Sequence, residues 1–400
     1  MKVNITAAAN ATIKIGSANF TQGQTVNFSA PAIFTVTAQD GTTVNTYTAA
    51  ITAYDAASNP YGIYTVAHLN DVRNNKAGSY KMMNNIVLPA RDAAGALAAG
   101  ISDYADKGWL PIAHNASVNF GAVPPAVTNG FTGTFDGGNF SVDNFYINRS
   151  DANYAGLFGV TSGASISNTG IRGSVSPAVT GGRYAGALAG LIQGGSVTRC
   201  YADAAVRCES HDANVTAYAG GLIGYMEYGS LSASYSSGNV SGNLSATNGA
   251  LYIGGLAGSL GQTANTSNCF ASGDINAEAS GGIFGGGLAG ALVAPTANCY
   301  AAGNVACTIQ SNNIVIGALG GIISSNTTTY TNCYRNSGAA ITANGQPATL
   351  TDASRITPKT KAQMQTDAFK NLLNSGTSAW GRDGGKNDGL PYIIGVGVGK

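Results

Sequence analysis

The stretches "GGLAGSL" at 254–260 and "GGLAGAL" at 286–292 are near-copies of one another, and looser copies lie upstream and downstream. Six leucines hold the copies in phase: Leu157, Leu188, Leu222, Leu256, Leu288 and Leu319, spaced 31, 34, 34, 32 and 31 residues apart. A catalytic glycine-rich loop is written once in a domain. A phrase recurring every roughly 20–50 residues marks a repeat architecture instead. A second anchor trails the first at Ile171, Tyr201, Tyr235, Phe270, Tyr300 and Tyr334, in contexts such as "NCFASGDI" and "NCYAAGNV".

Around the leucines, alternate positions run Tyr184, Gly186, Leu188, Gly190, Ile192, and later copies repeat that order of bulky, Gly, Leu, Gly, bulky. Period two signals an extended strand. We read the glycines as leaving room for a stack of leucines. A unit of 31–34 residues with a few short strands cannot bury its own core, but a stack of such units can. Turn signals at Gly238-Asn239, Gly273-Asp274 and Gly303-Asn304 precede Val240, Ile275 and Val305 at matching offsets. This much glycine rules out helical repeats, and a propeller blade needs about 40 residues or more. The expected architecture is an all-β solenoid, a parallel β-helix.

Composition narrows the partners. Charged residues make up 10% of the chain, against about 25% in ordinary soluble domains. The formal net charge is +1 and no run of Lys or Arg forms a basic stripe, so nucleic acid and anionic membranes are excluded as main partners. No continuous apolar stretch reaches the roughly 18 residues a spanning helix needs. The N-terminus, "MKVNITAAANATIKIG", lacks a hydrophobic signal core and reads as mature or truncated chain. A neutral surface rich in Ser, Thr, Asn and Gly suits an exported protein.

With these residues in view, "AGLFG" (155–159), "GALAG" (186–190), "GGLIG" (220–224) and the two "GGLAG" copies resemble the GLUG motif of bacterial surface proteins. "YTVAHLNDVRNNKAGSYKMMNNIVL" (64–88) is similar to the lead-in helix and strand of such proteins, and "FTGTFDGGNFSVDNFYI" (131–147) to their first coil. "TKAQMQTDAFKNLLN" followed by "AWGRDGGKNDGLPYI" resembles their closing helix and strand. The resemblance implies a right-handed β-helix with coils of about 32 residues and short capping helices, in an adhesin-like protein without catalytic residues. Some GLUG-bearing chains are zinc peptidases, but no H-E-x-x-H occurs here.

The division expected is a small Ig- or cadherin-like β-sandwich over 1–53 and the solenoid over 54–400. Within the solenoid a lead-in cap spans about 60–130, the repeats about 131–340 and a closing cap about 341–400. "FTVTAQDGTTVNTYTAAITA" (34–53) alternates like strands around a turn at Asp40-Gly41, and "DAASNP" ending at Pro60 forms a hinge.

Chemistry-bearing residues are few. Cys200, Cys269, Cys299 and Cys333 share one repeat slot, filled elsewhere by Ser234 and Gly170, and Cys208 and Cys307 share a second. A slot that accepts Ser or Gly favours stacked buried thiols, with disulfides between coils as the alternative. Glu209, His211 and Asp212 form the densest polar cluster of the repeats and are weak metal candidates, outweighed by a solvated loop. His68 and His114 fall in the lead-in helix and a loop. Asp383, Asn387 and Asp388 in "RDGGKNDG" could offer oxygens to calcium, but the spacing fits a tight turn better. No cofactor is expected.

Lyases and hydrolases built on β-helices need two or three carboxylates on neighbouring coils. Asp203, Glu209, Asp212, Glu227, Asp274 and Glu278 recur at no common slot, and Asp136 and Asp143 lie in the first coil. The ligand-contact candidates are instead Tyr201, Tyr235, Phe270, Tyr300 and Tyr334, one ring per coil. Parity places them opposite the cysteines, which we expect inward with the rings outward or half covered. The expected function is an exported bacterial cell-surface adhesin that binds an extracellular glycan or protein. A polysaccharide-degrading enzyme is the first alternative, a passive spacer the second.

Overall fold

Copies of one strand, placed on successive coils of a solenoid, pair in parallel and in register, because each finds its own hydrogen-bonding pattern above and below. The computed structural model shows this arrangement. It describes residues 3–27, 31–49, 61–92, 96, 107–122, 124–150, 152–212, 214–310, 313–323 and 329–399. The chain divides into two units, residues 1–61 and 62–400.

In the first unit, β1 (Thr12–Ile15), β2 (Ala18–Asn19), β3 (Ala32–Thr37) and β4 (Val44–Ala49) form one antiparallel sheet in the order β2-β1-β3-β4. It is the single sheet of this unit among the described residues. Phe34 is buried and meets Phe20 edge-on at 5.6 Å. At the Asp40-Gly41 turn the Asp40 carboxylate accepts hydrogen bonds from the backbone N–H groups of Thr42 and Thr43. The hinge ending at Pro60 lies outside the described residues.

The second unit is a β-solenoid of about six turns. One coil runs through Ala189–Thr198, Tyr201–Asp203, Val206–Ser210 and Ala217–Gly220, and the next begins at Ile223–Ser232. Tyr201, Tyr235, Phe270, Tyr300 and Tyr334 pair in parallel from coil to coil. Val206, Val240, Ile275, Val305 and Ile341 do the same on a second face, and Tyr184, Tyr218, Tyr252, Phe284 and Val315 on a third. The six anchor leucines point into the solenoid and are fully buried. Before the first coil, Thr65 caps α1 (Val66–Asp71) by accepting the His68 N–H, and strand Ser79–Met82 then pairs with Thr134–Asp136. At the other end, α2 (Lys361–Met364), started by a capping box at Thr360 and Gln363, and α3 (Asp367–Leu373) close the chain.

The Gly-Leu-Gly stretch is not one continuous strand, as its alternation suggested. Strand Tyr184–Ala185 ends, Leu188 turns a corner, and Ala189 opens the next strand. Corner stacks on corner: Leu188 N–H donates to the Leu222 carbonyl, Leu222 to Leu256, Leu256 to Leu288, and Leu288 to Leu319, each at 2.9 Å. The glycines are required by backbone, not by leucine side chains. A Cβ on Gly254 would lie 2.3 Å from the Ala289 Cα, and one on Gly258 2.5 Å from the Gly224 carbonyl oxygen.

The second anchor also shifts by one residue in its first copy. Gly170, not Ile171, pairs with Tyr201, and Thr169 rather than Gly170 fills the cysteine slot. Gly170 is small for a reason: a Cβ there would sit 2.4 Å from the Tyr201 ring.

Candidate functional site

The rings chosen from the sequence stack as a ladder, with centroids 5.3, 4.6 and 4.9 Å apart from Tyr201 through Tyr235 and Phe270 to Tyr300. They point away from the solenoid interior, as parity requires. They are nevertheless covered, with Tyr201 at 8%, Tyr334 at 5% and the three between at 0–1% exposure. The cover is the closing segment, whose Phe369, Trp380, Leu390 and Ile393 join the rings in one apolar cluster. Polar ties fix it: the Tyr300 hydroxyl donates to the Pro391 carbonyl at 2.6 Å, and Val398 N–H donates to the Tyr235 hydroxyl at 3.0 Å. Trp380 Nε1 donates to Asn268 Oδ1 at 3.2 Å. Burial pushes the Tyr300 hydroxyl pKa far up. In this arrangement the ladder is core, which corrects the expectation of an outward or half-covered platform.

A second row is open. Tyr154, Tyr184, Tyr218, Tyr252 and Phe284 stack along the third face at 5.2, 5.1, 4.9 and 4.7 Å. Tyr184 is buried between its neighbours and the other four are half-buried. Alternation alone puts these residues on one strand face with the leucines. The corner separates them, so the leucine goes in and the ring stays out.

Across that corner Tyr225 stacks on Tyr218 at 4.8 Å. Phe120, 44% exposed beside the Ser117–Asn119 and Ala126–Thr128 hairpin, lies 6.4 Å from Tyr184 and 6.5 Å from Tyr225. Arg183 sits over the Tyr184 ring at 5.2 Å, its Nε donating to the Thr216 carbonyl. Burial pushes the Tyr184 pKa up to about 12 and raises that of Tyr218, so both hydroxyls stay protonated at neutral pH. Among the described residues none of the four tyrosine hydroxyls in the row makes a protein hydrogen bond, leaving them free to donate to a ligand.

The six cysteines are buried free thiols. In the main slot each side chain closes a turn onto the carbonyl two residues back, as Cys269 does to Ser267 at 3.2 Å and Cys299 to Ala297 at 3.2 Å. Thr169 and Ser234 make the same bond with hydroxyls at 2.7 and 2.8 Å. The residue before each is left-handed, with φ of 51–58° at Asn168, Arg199, Asn268, Asn298 and Asn332, which explains the recurring asparagine.

Burial pushes the thiols of Cys200, Cys208 and Cys307 up to about 12. A disulfide-exchange reagent at about pH 8 should therefore label none of the six in the folded protein and all six after unfolding; rapid labelling of the native chain would contradict this burial. The sign for stability follows. Unfolded thiols ionise near pH 9 while these three keep their protons to about 12, so stability is full below pH 9 and falls as pH rises above it.

The weak metal candidates do not converge. Glu209 pairs with Arg207, His211 Nδ1 contacts Ser245 Oγ at 3.3 Å, and Asp212 is exposed. Among the described residues no three His, Cys, Asp or Glu side chains are grouped to hold a metal. In the 382–389 turn Asp383 accepts Gly385 N–H at 2.9 Å, Asp388 pairs with Lys361, and Asn387 donates to the Tyr300 hydroxyl at 2.9 Å. Most other carboxylates are occupied locally. Asp274 accepts the Asn304 backbone and side-chain N–H at 2.8 and 3.0 Å, Asp136 accepts Gly138 N–H at 2.9 Å, and Asp143 accepts the Ser141 hydroxyl at 2.7 Å.

One corner with its flanking strands decides the motif. Residues 249–276 match the GLUG motif. This GLUG segment contains Tyr252 of the open row, the Leu256 corner and Phe270 of the covered ladder. Over 104 residues the chain is 36% identical to a protein provisionally named a Gly-rich membrane protein of Evansella cellulosilytica, matching 26% of this chain and 10% of that one. Over 183 residues it is 31% identical to halomucin of Haloquadratum walsbyi, matching 45% of this chain and 2% of that protein. The chain thus spans a small part of either relative. The solved structure of a protein provisionally named an immunoglobulin A1 protease, from Bacteroides ovatus, superposes with a TM-score of 0.59 at 18% identity, covering 85% of this chain and 94% of that one. At that identity the likeness is one of fold.

Proposed function

We propose that this chain is part of a cell-surface or extracellular protein whose GLUG solenoid binds a ligand without chemically changing it, as an adhesin does. The open row of Tyr154, Tyr184, Tyr218, Tyr252 and Phe284 carries the proposal, because it presents rings and unpaired hydroxyls at one-coil spacing on a rigid sheet. Amphipathic rings on a preformed surface lose little conformational entropy on binding, which is why they concentrate at recognition surfaces. The surface assignment is supported by relatives named as a membrane protein and a halomucin. The 10% charge content agrees with it.

Binding of the full chain to immobilised glycans and extracellular-matrix proteins tests the proposal. Tyr218→Ala and Tyr252→Ala should each weaken binding by about tenfold or more, the effect of removing an aromatic anchor. Tyr300→Phe, in the covered ladder, should leave it unchanged. Absence of any ligand, or binding indifferent to both alanine variants, would refute the assignment.

A further inference from the structure

The strand that follows the Leu222 corner slips in register at Glu227 against the coil below and regains it at Ser230. It pairs Met226 with Ile192 and then Tyr228 with Gln193, so Glu227 is skipped by the ladder below. The ladder above is irregular at the same place, where Met226 and Tyr228 pair with Leu260 and Thr263 and the additional residue lies on the upper coil. Such a bulge re-aims a side chain, and bulges concentrate beside binding and active sites. Here the side chain at the slip is a carboxylate two residues beyond Tyr225 on the same strand, whose ring stacks on Tyr218 of the open row at 4.8 Å.

Glu227 is half-buried and, among the described residues, has no ion-pair or hydrogen-bond partner. Burial raises its pKa, and among the described residues no cation pairs with it. Arg183 acts on Tyr184 and Tyr218 from its seat over the Tyr184 ring, and only its Nε is engaged by backbone. Phe120 lies 6.5 Å from Tyr225, ring to ring, and offers an exposed face.

We propose that Glu227, Arg183 and the Phe120 ring form a subsite for one neutral pyranose unit of a glycan. The carboxylate accepts from sugar hydroxyls and the guanidinium donates to others, while the apolar C–H face of the sugar lies on Phe120. One acid and one base leave the subsite without net charge, which favours a polyol over an ionic ligand. The sequence noted Glu227 only among scattered carboxylates, because a bulge is visible only once the coils are paired. This subsite rests on the ligand-binding role proposed above and adds the chemical class of the ligand.

The test is surface plasmon resonance of the full chain on immobilised neutral glucans, mannans and galactans, with the uronate polymers pectate and alginate alongside. The expected result is binding to at least one neutral polymer, weakened about 10- to 100-fold by Glu227→Gln. Phe120→Ala should weaken it about tenfold. Glu278→Gln, exposed on another face, should leave it unchanged. Circular dichroism of each variant confirms that it folds. Binding that is lost in Tyr218→Ala but untouched by Glu227→Gln and Phe120→Ala would overturn the subsite while sparing the open-row proposal. Uronate binding that strengthens in Glu227→Gln would overturn the neutral sugar. No binding to any polysaccharide would overturn the subsite, and binding to matrix proteins alone would leave the broader role standing.

Discussion

Gly254→Ala should destabilise the solenoid by about 3–5 kcal/mol, as much as deleting the buried side chain of Leu256. The added Cβ meets the Ala289 Cα at 2.3 Å and the Ala257 carbonyl oxygen at 2.4 Å, both backbone atoms. Neither can retreat cheaply, because Leu256 N–H and Ala257 N–H both donate to the Leu288 carbonyl, at 2.9 and 3.1 Å. Side-chain clashes relax through rotamers, whereas a backbone clash inside a hydrogen-bonded corner must displace a whole coil. Gly384→Ala is the matched control, since a Cβ there meets nothing within 4 Å, and it should change stability by less than about 0.5 kcal/mol. Urea unfolding followed by circular dichroism measures both. An unchanged midpoint for Gly254→Ala would show that the corner is loose and that glycine serves another purpose.

Asp352→Ala should cost about 3–5 kcal/mol, concentrated at the C-terminal end of the stack. In the inner corners the N–H groups around the leucine donate to the next corner, but the corner at Leu319 has no successor. Asp352, 1% exposed, stands in for it, accepting from Ala318, Leu319 and Gly320 N–H at 2.6, 2.8 and 3.0 Å. Alanine would leave three backbone donors without acceptors. Because a solenoid couples each coil mainly to its neighbours, the loss should show first as local fraying. Hydrogen exchange read by mass spectrometry should lose protection at Gly317–Ile323 while the Leu222 corner keeps its own. Equal loss along the whole stack would contradict a local cap. Asp352→Asn, which keeps an acceptor but sets an amide N–H₂ against the same donors, should fall between the two.

The repeat was legible because it is written in the order of the chain. Six leucines in phase fixed the stacking, and helices α1 and α3 lie in "YTVAHLNDVRNNKAGSYKMMNNIVL" (64–88) and "TKAQMQTDAFKNLLN", the stretches read as lead-in and closing segments. The corner was less legible, since Tyr184, Gly186 and Leu188 alternate as a strand would. Alternation gives the direction of a side chain only while the backbone stays extended, and it does not stay extended through Gly186. The cap at Asp352 left no local signal at all, as its three partners lie 32–34 residues upstream.

The candidate site shows the same division. Sequence alone determined that most coils carry an aromatic residue at two fixed positions, with Gly170 and Val315 as exceptions, and that rings at one position would stack. Only the tertiary structure decided which of the two rows faces solvent. Whether a side chain points into or out of its coil is a local property, set by φ and ψ. Whether an outward ring is covered depends on a segment far along the chain: Trp380 lies 110 residues beyond Phe270, which it helps to bury. The covered ladder became core because the closing segment brought apolar side chains to it, and the open row is left as the recognition surface that we propose.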